Sequence, residues 1–196
     1  MITDQVDSMQ RIQAVVIIMD KVMSYRSDSL TPWVIRITNL GAAYSYAILI
    51  PVFALILYFM KKRWIVSVEA SIILISASFL NIFLKNWFTR PRPVENIHLV
   101  DAASYSYPSG HAMSAMAFYG FLIYLTFRFI RPYWLKVPLI LLFAALILCI
   151  GASRVYLGVH YPSDVVGGFA AGATWLILCI AILSVSRYRG LFRVYR

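Results

Sequence analysis

Charged side chains are scarce in this chain. Of its 196 residues, 13% are charged and 61% are hydrophobic, and only eight are acidic. A water-soluble domain is typically about 25% charged, and its apolar residues alternate with polar ones along each helix or strand. The composition therefore excludes an ordinary soluble protein. We expect a single domain, residues 1–196, that is embedded in lipid.

Cysteine is also nearly absent. Cys149 and Cys179 are the only two, and both lie in apolar stretches, where a cysteine usually packs as a small hydrophobic residue. A disulfide framework is therefore not expected. The N-terminus lacks the basic start and the apolar run of a signal peptide, because Asp4 and Asp7 come first. We expect the first membrane span to act as the insertion signal.

Long apolar runs dominate the rest of the chain. A helix needs about 20 apolar residues to cross a bilayer, and five runs approach or exceed this length. They are residues 37–60, 64–84, 112–130, 133–151 and 165–185. The pattern predicts an all-α, polytopic membrane helical bundle with about five transmembrane helices over residues 37–185.

The N-terminal segment, residues 1–30, has a mixed pattern. Apolar residues share one helical face between residues 9 and 25, but Gln13, Asp20 and Lys21 interrupt it. This pattern is typical of an interfacial helix. The alternative is a short sixth span over residues 13–23, which would require a thinner bilayer around it.

The basic residues lie mainly between the apolar runs. With alternating spans, three clusters face the same side, and an excess of Lys and Arg marks cytoplasmic loops. The clusters are Lys61, Lys62 and Arg63; Arg128, Arg131 and Lys136; and Arg187, Arg189, Arg193 and Arg196. Topology thus explains much of the net charge of +10, and no nucleic-acid partner is needed. The loops at 85–110 and 153–164 are predicted to be extracytoplasmic.

Those two loops hold three polar patches at the ends of predicted spans. Lys85, Arg92 and Arg154 are cations that would repel one another near the membrane unless an anion lay between them. Phosphate is suitable, because guanidinium groups bind its oxygens in pairs and lysine adds a point charge. Ser109 and Gly110 directly precede the third span, where helix N–H groups favour anions and glycine permits close approach.

Two histidines accompany these cations. Asp164 follows His160 by four residues, and Pro162 favours a helix start, so Asp164 is placed to orient the imidazole. His111 is then free to protonate a leaving oxygen. Taken singly, each patch has a plainer interpretation: Lys85 and Arg92 could be flanking residues whose charges reach the interface, and Asp164 could be a helix cap.

Together, the patches resemble the three-part signature of the type 2 phosphatidic acid phosphatase superfamily. The resemblance covers about residues 37–185, and it implies a helical bundle with its active site at the extracytoplasmic end. The matching residues are Lys85, with Arg92 and Pro93 after six intervening residues; Pro108, Ser109, Gly110 and His111; and Ser153 and Arg154 followed by His160 and Asp164.

The resemblance also implies a role for each site residue. His160 would be the nucleophile that forms a phosphohistidine, Asp164 its partner, and His111 the general acid that then activates water. The remaining residues would bind the phosphoryl oxygens: Lys85, Arg92, Ser109, Gly110 and Arg154. The family chemistry implies no metal and no cofactor.

The predicted function is that of a metal-independent lipid phosphate phosphatase of the cell membrane, because five apolar spans disfavour the soluble branches of the superfamily. Phosphatidylglycerophosphate, phosphatidic acid, diacylglycerol pyrophosphate and undecaprenyl pyrophosphate are candidate substrates. The Lys-Asn-Trp-Phe-Thr-Arg-Pro-Arg-Pro stretch resembles the bacterial enzymes for the first and last of these. One alternative is a non-catalytic membrane protein that binds lipid phosphates, and another is a membrane haloperoxidase. The histidines with Asp164 argue against a simple binder, which needs no nucleophile.

Overall fold

A computed structural model describes residues 2–59 and 65–188, and every regular element in these ranges is helical. The prediction of an all-α bundle is confirmed. The seven α-helices are α1 (Ile2–Met23), α2 (Thr31–Asn39), α3 (Ala43–Phe59), α4 (Ile65–Phe88), α5 (Gly110–Phe129), α6 (Tyr133–Tyr156) and α7 (Pro162–Tyr188), with one short 3₁₀ helix at Glu95–Ile97.

Four of these helices, α4 to α7, are long and apolar enough to cross a membrane. The pair α2 and α3 counts as a fifth span if its bend of 58° is accepted within one crossing. The apolar run predicted from residue 37 is not one continuous helix, because it is interrupted between Asn39 and Ala43. Gly41 lies at this break, so close to α6 that a Cβ atom there would lie 2.5 Å from Ile150 Cγ2.

Some predicted features lie outside the described residues. Two predicted span ends, Met60 and Trp64, belong to this group, as do two sets of basic residues. These are Lys61, Lys62 and Arg63, and then Arg189, Arg193 and Arg196, together with the side chain of Arg187.

The starts of α5 and α7 agree with the sequence pattern, but the ends of α4 and α6 do not. Helix α4 continues to Phe88 and α6 continues to Tyr156. Lys85 and Arg154 therefore lie in the last turns of helices and not in loops.

Helix α1 packs against the end of the bundle where the polar loops lie. Its Met19 is buried in a cluster with Ala112, Val155 and Val165, which belong to α5, α6 and α7. Helix α1 is not among the described helices that qualify as membrane spans. The choice between an interfacial helix and a short sixth span remains a prediction from the sequence.

Helix α5 is the central element and packs against α4, α6 and α7. Helix α7 approaches it through glycines: a Cβ atom at Gly168 would lie 2.7 Å from the carbonyl oxygen of Ser109, and one at Gly172 would lie 2.6 Å from that of Met113. Small residues allow this close approach between membrane helices. It places the first turns of α5 and α7 side by side, where Ser109 N–H donates to the carbonyl oxygen of Asp164 at 3.0 Å.

Large apolar side chains cover the outer faces of the bundle. Examples that are more than half exposed are Ile48, Phe79, Leu141, Leu148 and Ile177. So much exposed apolar surface is unfavourable in water and is expected where a protein contacts lipid. The protein is thus a multi-pass membrane protein.

Candidate active site

The candidate site lies at one end of the bundle, where two helices end and two begin. Lys85 and Arg154 lie in the last turns of α4 and α6, whereas His111 and Asp164 lie in the first turns of α5 and α7. The loops at 89–109 and 157–161 connect these ends. Residues distant in sequence therefore meet in one place.

Ser104 brings two of the predicted cations together. The ammonium group of Lys85, which is 8% exposed, donates to Ser104 Oγ at 3.1 Å and to the carbonyl oxygen of Tyr105. Arg92 donates from Nε to the carbonyl oxygen of Ser104 at 2.6 Å and from Nη1 to that of Val159 at 2.7 Å. The loop thus fixes Lys85 and Arg92 on the same side of the site.

Arg154, the third predicted cation, is only 5% exposed. Its Nη1 donates to Thr38 Oγ1 on α2 at 2.9 Å. Its Nε is buried and has no hydrogen-bond partner within the described part of the chain. An unsatisfied buried N–H group costs about 1–3 kcal/mol, so Arg154 has a donor available for a ligand.

Positive charge exceeds negative charge at this site. Among the described residues, the ion pairs at the site are Asp164 with Arg90, at 2.7 Å, and Asp164 with His160 when the imidazole is protonated. Lys85, Arg92 and Arg154 have no carboxylate partner in that part of the chain. Cations held close together and partly buried are best compensated by an anion.

The His160 side chain is 2% exposed and is held at both ring nitrogens. Nδ1 lies 3.3 Å from Ser106 Oγ and 3.5 Å from Asp164 Oδ2, whereas Nε2 lies 3.3 Å from Arg92 Nη1. Since an arginine only donates hydrogen bonds, Nε2 carries the lone pair and Nδ1 the proton. The imidazole therefore presents an unprotonated nitrogen to the cationic side of the site.

Burial lowers the pKa of His160 from its ordinary value of 6.5 to about 4. The nearby charges of Arg92, Arg154 and Lys85 lower the pKa further, and the hydrogen bond to Asp164 opposes them. Because a lowered pKa favours the neutral form, the imidazole is unprotonated at neutral pH.

Four residues hydrogen-bond to the predicted site residues through their side chains but were given no role in the sequence analysis. Ser104 binds Lys85 and Arg92, as described above. Arg90 binds Asp164, Ser106 contacts both His160 and Asp164, and Thr38 binds Arg154. Arg90 lies in the Arg-Pro-Arg-Pro stretch, but the spacing from Lys85 directs attention to Arg92. Ser106 and Thr38 stand in stretches with no distinctive pattern, so only the fold identifies them.

Ser109 and Gly110 have different surroundings from one another. Ser109 is fully buried, and its hydroxyl accepts a hydrogen bond from Ala112 N–H at 3.5 Å as the N-cap of α5. The Ser109 hydroxyl therefore serves the helix start. Gly110, by contrast, lines a cavity together with His111.

Two cavities adjoin the site on different sides. One, of about 580 Å³, lies between α3, α4 and α5, and its wall includes His111 with mostly apolar or small residues. The other, of about 660 Å³, is lined by Lys85, Arg90 and Arg92 with residues of the polar loop. The site thus has an apolar approach beside His111 and a polar approach beside the cations.

The fold and the site define a multi-pass membrane protein with a cationic pocket, rich in histidine and arginine, at one end of its bundle. The model of the PAP2 superfamily matches residues 64–188, and the chain belongs to this superfamily. The sequence resemblance to the type 2 phosphatidic acid phosphatases is thereby confirmed.

Two relatives illustrate the range of similar proteins. Phosphatidylglycerophosphatase B of Bacillus subtilis is 35% identical over 140 residues, which are 69% of this chain and 66% of that protein. Undecaprenyl-diphosphatase of Sulfolobus acidocaldarius is 33% identical over 140 residues, which are 69% of this chain and 63% of that protein. The chain therefore matches just under two thirds of the length of these relatives.

A solved structure extends the similarity over nearly the whole chain. It is the crystal structure of a transmembrane PAP2-type phosphatidylglycerolphosphate phosphatase from Bacillus subtilis, with a TM-score of 0.80 and 28% sequence identity. The comparison covers 95% of this chain and 90% of that chain. The bundle described above is therefore the architecture of a transmembrane PAP2 protein.

Proposed function

We propose that the protein is a lipid phosphate phosphatase that transfers a phosphoryl group from a lipid to His160 and then to water. The observation that carries this proposal is the environment of His160. Its imidazole is neutral, is oriented through Nδ1 by Ser106 and Asp164, and presents Nε2 beside Arg92. The names of the relatives, all of which are phosphatases, support the same reaction class.

In the first step, Lys85, Arg92 and Arg154 hold the phosphoryl oxygens. Nε2 of His160 attacks phosphorus, and the bond from phosphorus to the leaving oxygen breaks. His111 donates a proton to that oxygen, so the lipid leaves as a neutral alcohol or as a lipid monophosphate. Asp164 and Ser106 stabilise the positive charge that develops on the imidazole, and the cations stabilise the charge on the phosphoryl oxygens.

In the second step, the same groups reverse their roles. His111, now unprotonated, takes a proton from water, and the water oxygen attacks phosphorus. The bond between phosphorus and Nε2 breaks, which releases inorganic phosphate and restores His160. No step requires a metal, and the surplus of positive charge in the pocket disfavours binding of a metal cation.

The substrate is proposed to place its hydrocarbon part in the apolar cavity beside His111. The leaving oxygen belongs to the lipid and must lie within reach of His111, which lines that cavity. Phosphatidylglycerophosphate and undecaprenyl pyrophosphate are the first candidates, since the relatives are named for activity on these lipids. The site is proposed to face the extracytoplasmic side.

The direct test is phosphate release by the detergent-purified protein in excess chelator, on a panel of these lipids and one soluble phosphate ester. We expect release by the wild-type protein and none by His160→Ala, because the alanine variant lacks the attacking nitrogen. Both proteins should have similar melting temperatures. A folded wild-type protein that releases no phosphate would favour the alternative of a lipid phosphate binder.

The covalent intermediate has its own test. The protein is mixed with a lipid that carries a radiolabelled phosphate, quenched in base within a single turnover, and checked for label on the chain. Base is needed because a phosphorus–nitrogen bond is labile in acid. Label should appear on the wild-type protein and be absent from His160→Ala. Turnover with no trapped label would argue for direct attack by water.

A further inference from the structure

Asp164 contacts His160, but its carboxylate makes shorter hydrogen bonds elsewhere. Its Oδ1 accepts from Arg90 Nη1 at 2.7 Å, and its Oδ2 accepts from the Ser106 hydroxyl at 2.5 Å and from the backbone N–H of Tyr161 at 2.9 Å. The distance from Oδ2 to His160 Nδ1 is 3.5 Å. The neighbours other than the imidazole therefore set the orientation of this fully buried carboxylate.

Ser106 lies between the carboxylate and the imidazole. A carboxylate only accepts hydrogen bonds, so the Ser106 hydroxyl must donate its single hydrogen bond to Asp164. The oxygen of Ser106 then offers a lone pair to the N–H at Nδ1 of His160, 3.3 Å away, which is nearer than the carboxylate itself. Ser106 is fully buried, so water does not compete for either contact.

Arg90 contacts both Ser106 and Asp164. Its backbone carbonyl oxygen accepts from the N–H of Ser106 at 2.9 Å, while its Nη1 donates to Asp164 and to Ser163 Oγ at 2.8 Å. Its guanidinium carbon lies 4.5 Å from the centre of the Tyr161 ring. The guanidinium is thus fixed on three sides and directed at Asp164.

Arg92, only two residues away in the sequence, makes different contacts. It contacts Nε2 of His160, the nitrogen that faces the cationic side, and the loop carbonyls of Ser104 and Val159. The two arginines therefore act on opposite sides of the His160 imidazole. Arg92 contacts Nε2, whereas Arg90 acts on the Nδ1 side through Asp164.

We propose that Arg90 and Ser106 are positioning residues for the reaction, which hold Asp164 and thereby fix the direction in which His160 presents Nε2 to the phosphoryl group. This inference rests on the proposed function, since it assigns the orientation of the nucleophile that the function requires. The proposed role of each residue is exerted through Asp164 and requires no contact with the substrate.

The matched variants are Arg90→Gln and Arg92→Gln, each of which removes one guanidinium group. We expect Arg90→Gln to lower kcat by about 10- to 100-fold, by analogy with the loss of the hydrogen-bond partner that orients a metal-bound histidine. Its KM and its inhibition constant for inorganic phosphate should stay within about threefold of wild type. Arg92→Gln should raise both constants, because Arg92 contacts the anion before the reaction as well as during it.

Further variants separate positioning from folding. Ser106→Ala should repeat the kcat effect, and the double variant should lose less than the product of the single effects, because both residues act through one carboxylate. Arg90→Lys should recover part of kcat by restoring the positive charge. Arg36→Gln, which removes an exposed charge on α2, should leave kcat and KM unchanged. Melting temperatures in detergent identify any variant that fails to fold.

Two results would overturn the inference. One is an undiminished kcat in folded Arg90→Gln and Ser106→Ala. The other is a raised phosphate inhibition constant in Arg90→Gln that matches Arg92→Gln, which would place Arg90 in the anion site. If the wild-type protein hydrolyses no substrate, the proposed function fails and this inference fails with it. Wild-type activity with unaffected variants contradicts this inference alone.

Discussion

The imidazole of His160 has positive charge on one side and the Asp164 carboxylate on the other. Burial is the largest influence on its pKa, and the three site cations add to it, so the pKa falls to about 4. A depressed pKa means that the neutral form persists as the pH is lowered, until the pH itself falls through about 4. The proposed nucleophile should therefore be available well into the acidic range.

This protonation state can be measured directly. The chain has three histidines, so isotope-labelled histidine gives few side-chain signals in an NMR titration of the detergent-solubilised protein, and His160→Ala assigns the signal of interest. Without phosphate present, we expect that signal to stay in the neutral form at pH 6 and to titrate near pH 4. Titration at or above pH 6.5 would contradict the environment described for His160.

At the residue scale, sequence spacing predicted residues that meet at the candidate site, but not the residues that hold them in place. Lys85, Arg92 and His160 stand at recognisable intervals from other polar residues, and the fold places them together. Ser106 and Thr38 differ in that they matter only through contacts across 58 and 116 positions of the chain. No local pattern encodes such contacts.

Among the helices, boundaries that depend on turn chemistry were predictable and boundaries that depend on burial were not. Pro162 and the cap at Ser109 mark the starts of α7 and α5. Lys85 and Arg154, in contrast, resemble loop residues because a charge is costly within a span. Their helices continue past them because the site supplies hydrogen-bond partners. The break before α3 interrupts an apolar run and has only Gly41 as a local signal.

The cavity between α3 and α4 gives a prediction at this element scale. Ala47 lines the cavity, whereas its neighbour Ile48 is 65% exposed on the outer face of α3. We expect Ala47→Trp to lower kcat/KM for a lipid phosphate by about tenfold or more, equivalent to about 1.4 kcal/mol, because the indole fills the space of the hydrocarbon chain.

Hydrolysis of a soluble phosphate ester by Ala47→Trp should remain near the wild-type rate, since His111 and the cations are untouched. Ile48→Trp is the control, and it should leave both substrates unaffected because its side chain faces lipid. Equal losses on the lipid and on the soluble ester would mean that the cavity serves the reacting groups and does not hold the hydrocarbon chain.

At the scale of the whole molecule, the orientation in the membrane can be predicted because the two ends of the bundle differ. One end carries the candidate site, and the other carries basic residues. Helix α5 has 20 residues and therefore spans about 30 Å from His111 to the turn that carries Arg128 and Arg131. Basic residues in short loops favour the cytoplasm. The site is therefore expected to face outward.

Single cysteines can test this orientation. In a chain from which Cys149 and Cys179 have been removed, Asp101→Cys in the site-side loop and Arg131→Cys at the other end are both exposed positions. A membrane-impermeant maleimide added to intact cells should label the cysteine at 101, and should label the one at 131 only after lysis. The reverse pattern would place the site in the cytoplasm.

The part of the chain before residue 64, which lies outside the family match, supplies α3 and with it one wall of the cavity beside His111. The residues proposed to react, His111 and His160, both come from the matched part. Under the proposed function, substitutions in α3 should therefore change which hydrocarbon chain is accepted while the proposed reacting residues stay unchanged. Exchange of α3 between relatives should then change the preferred lipid and preserve the proposed reaction.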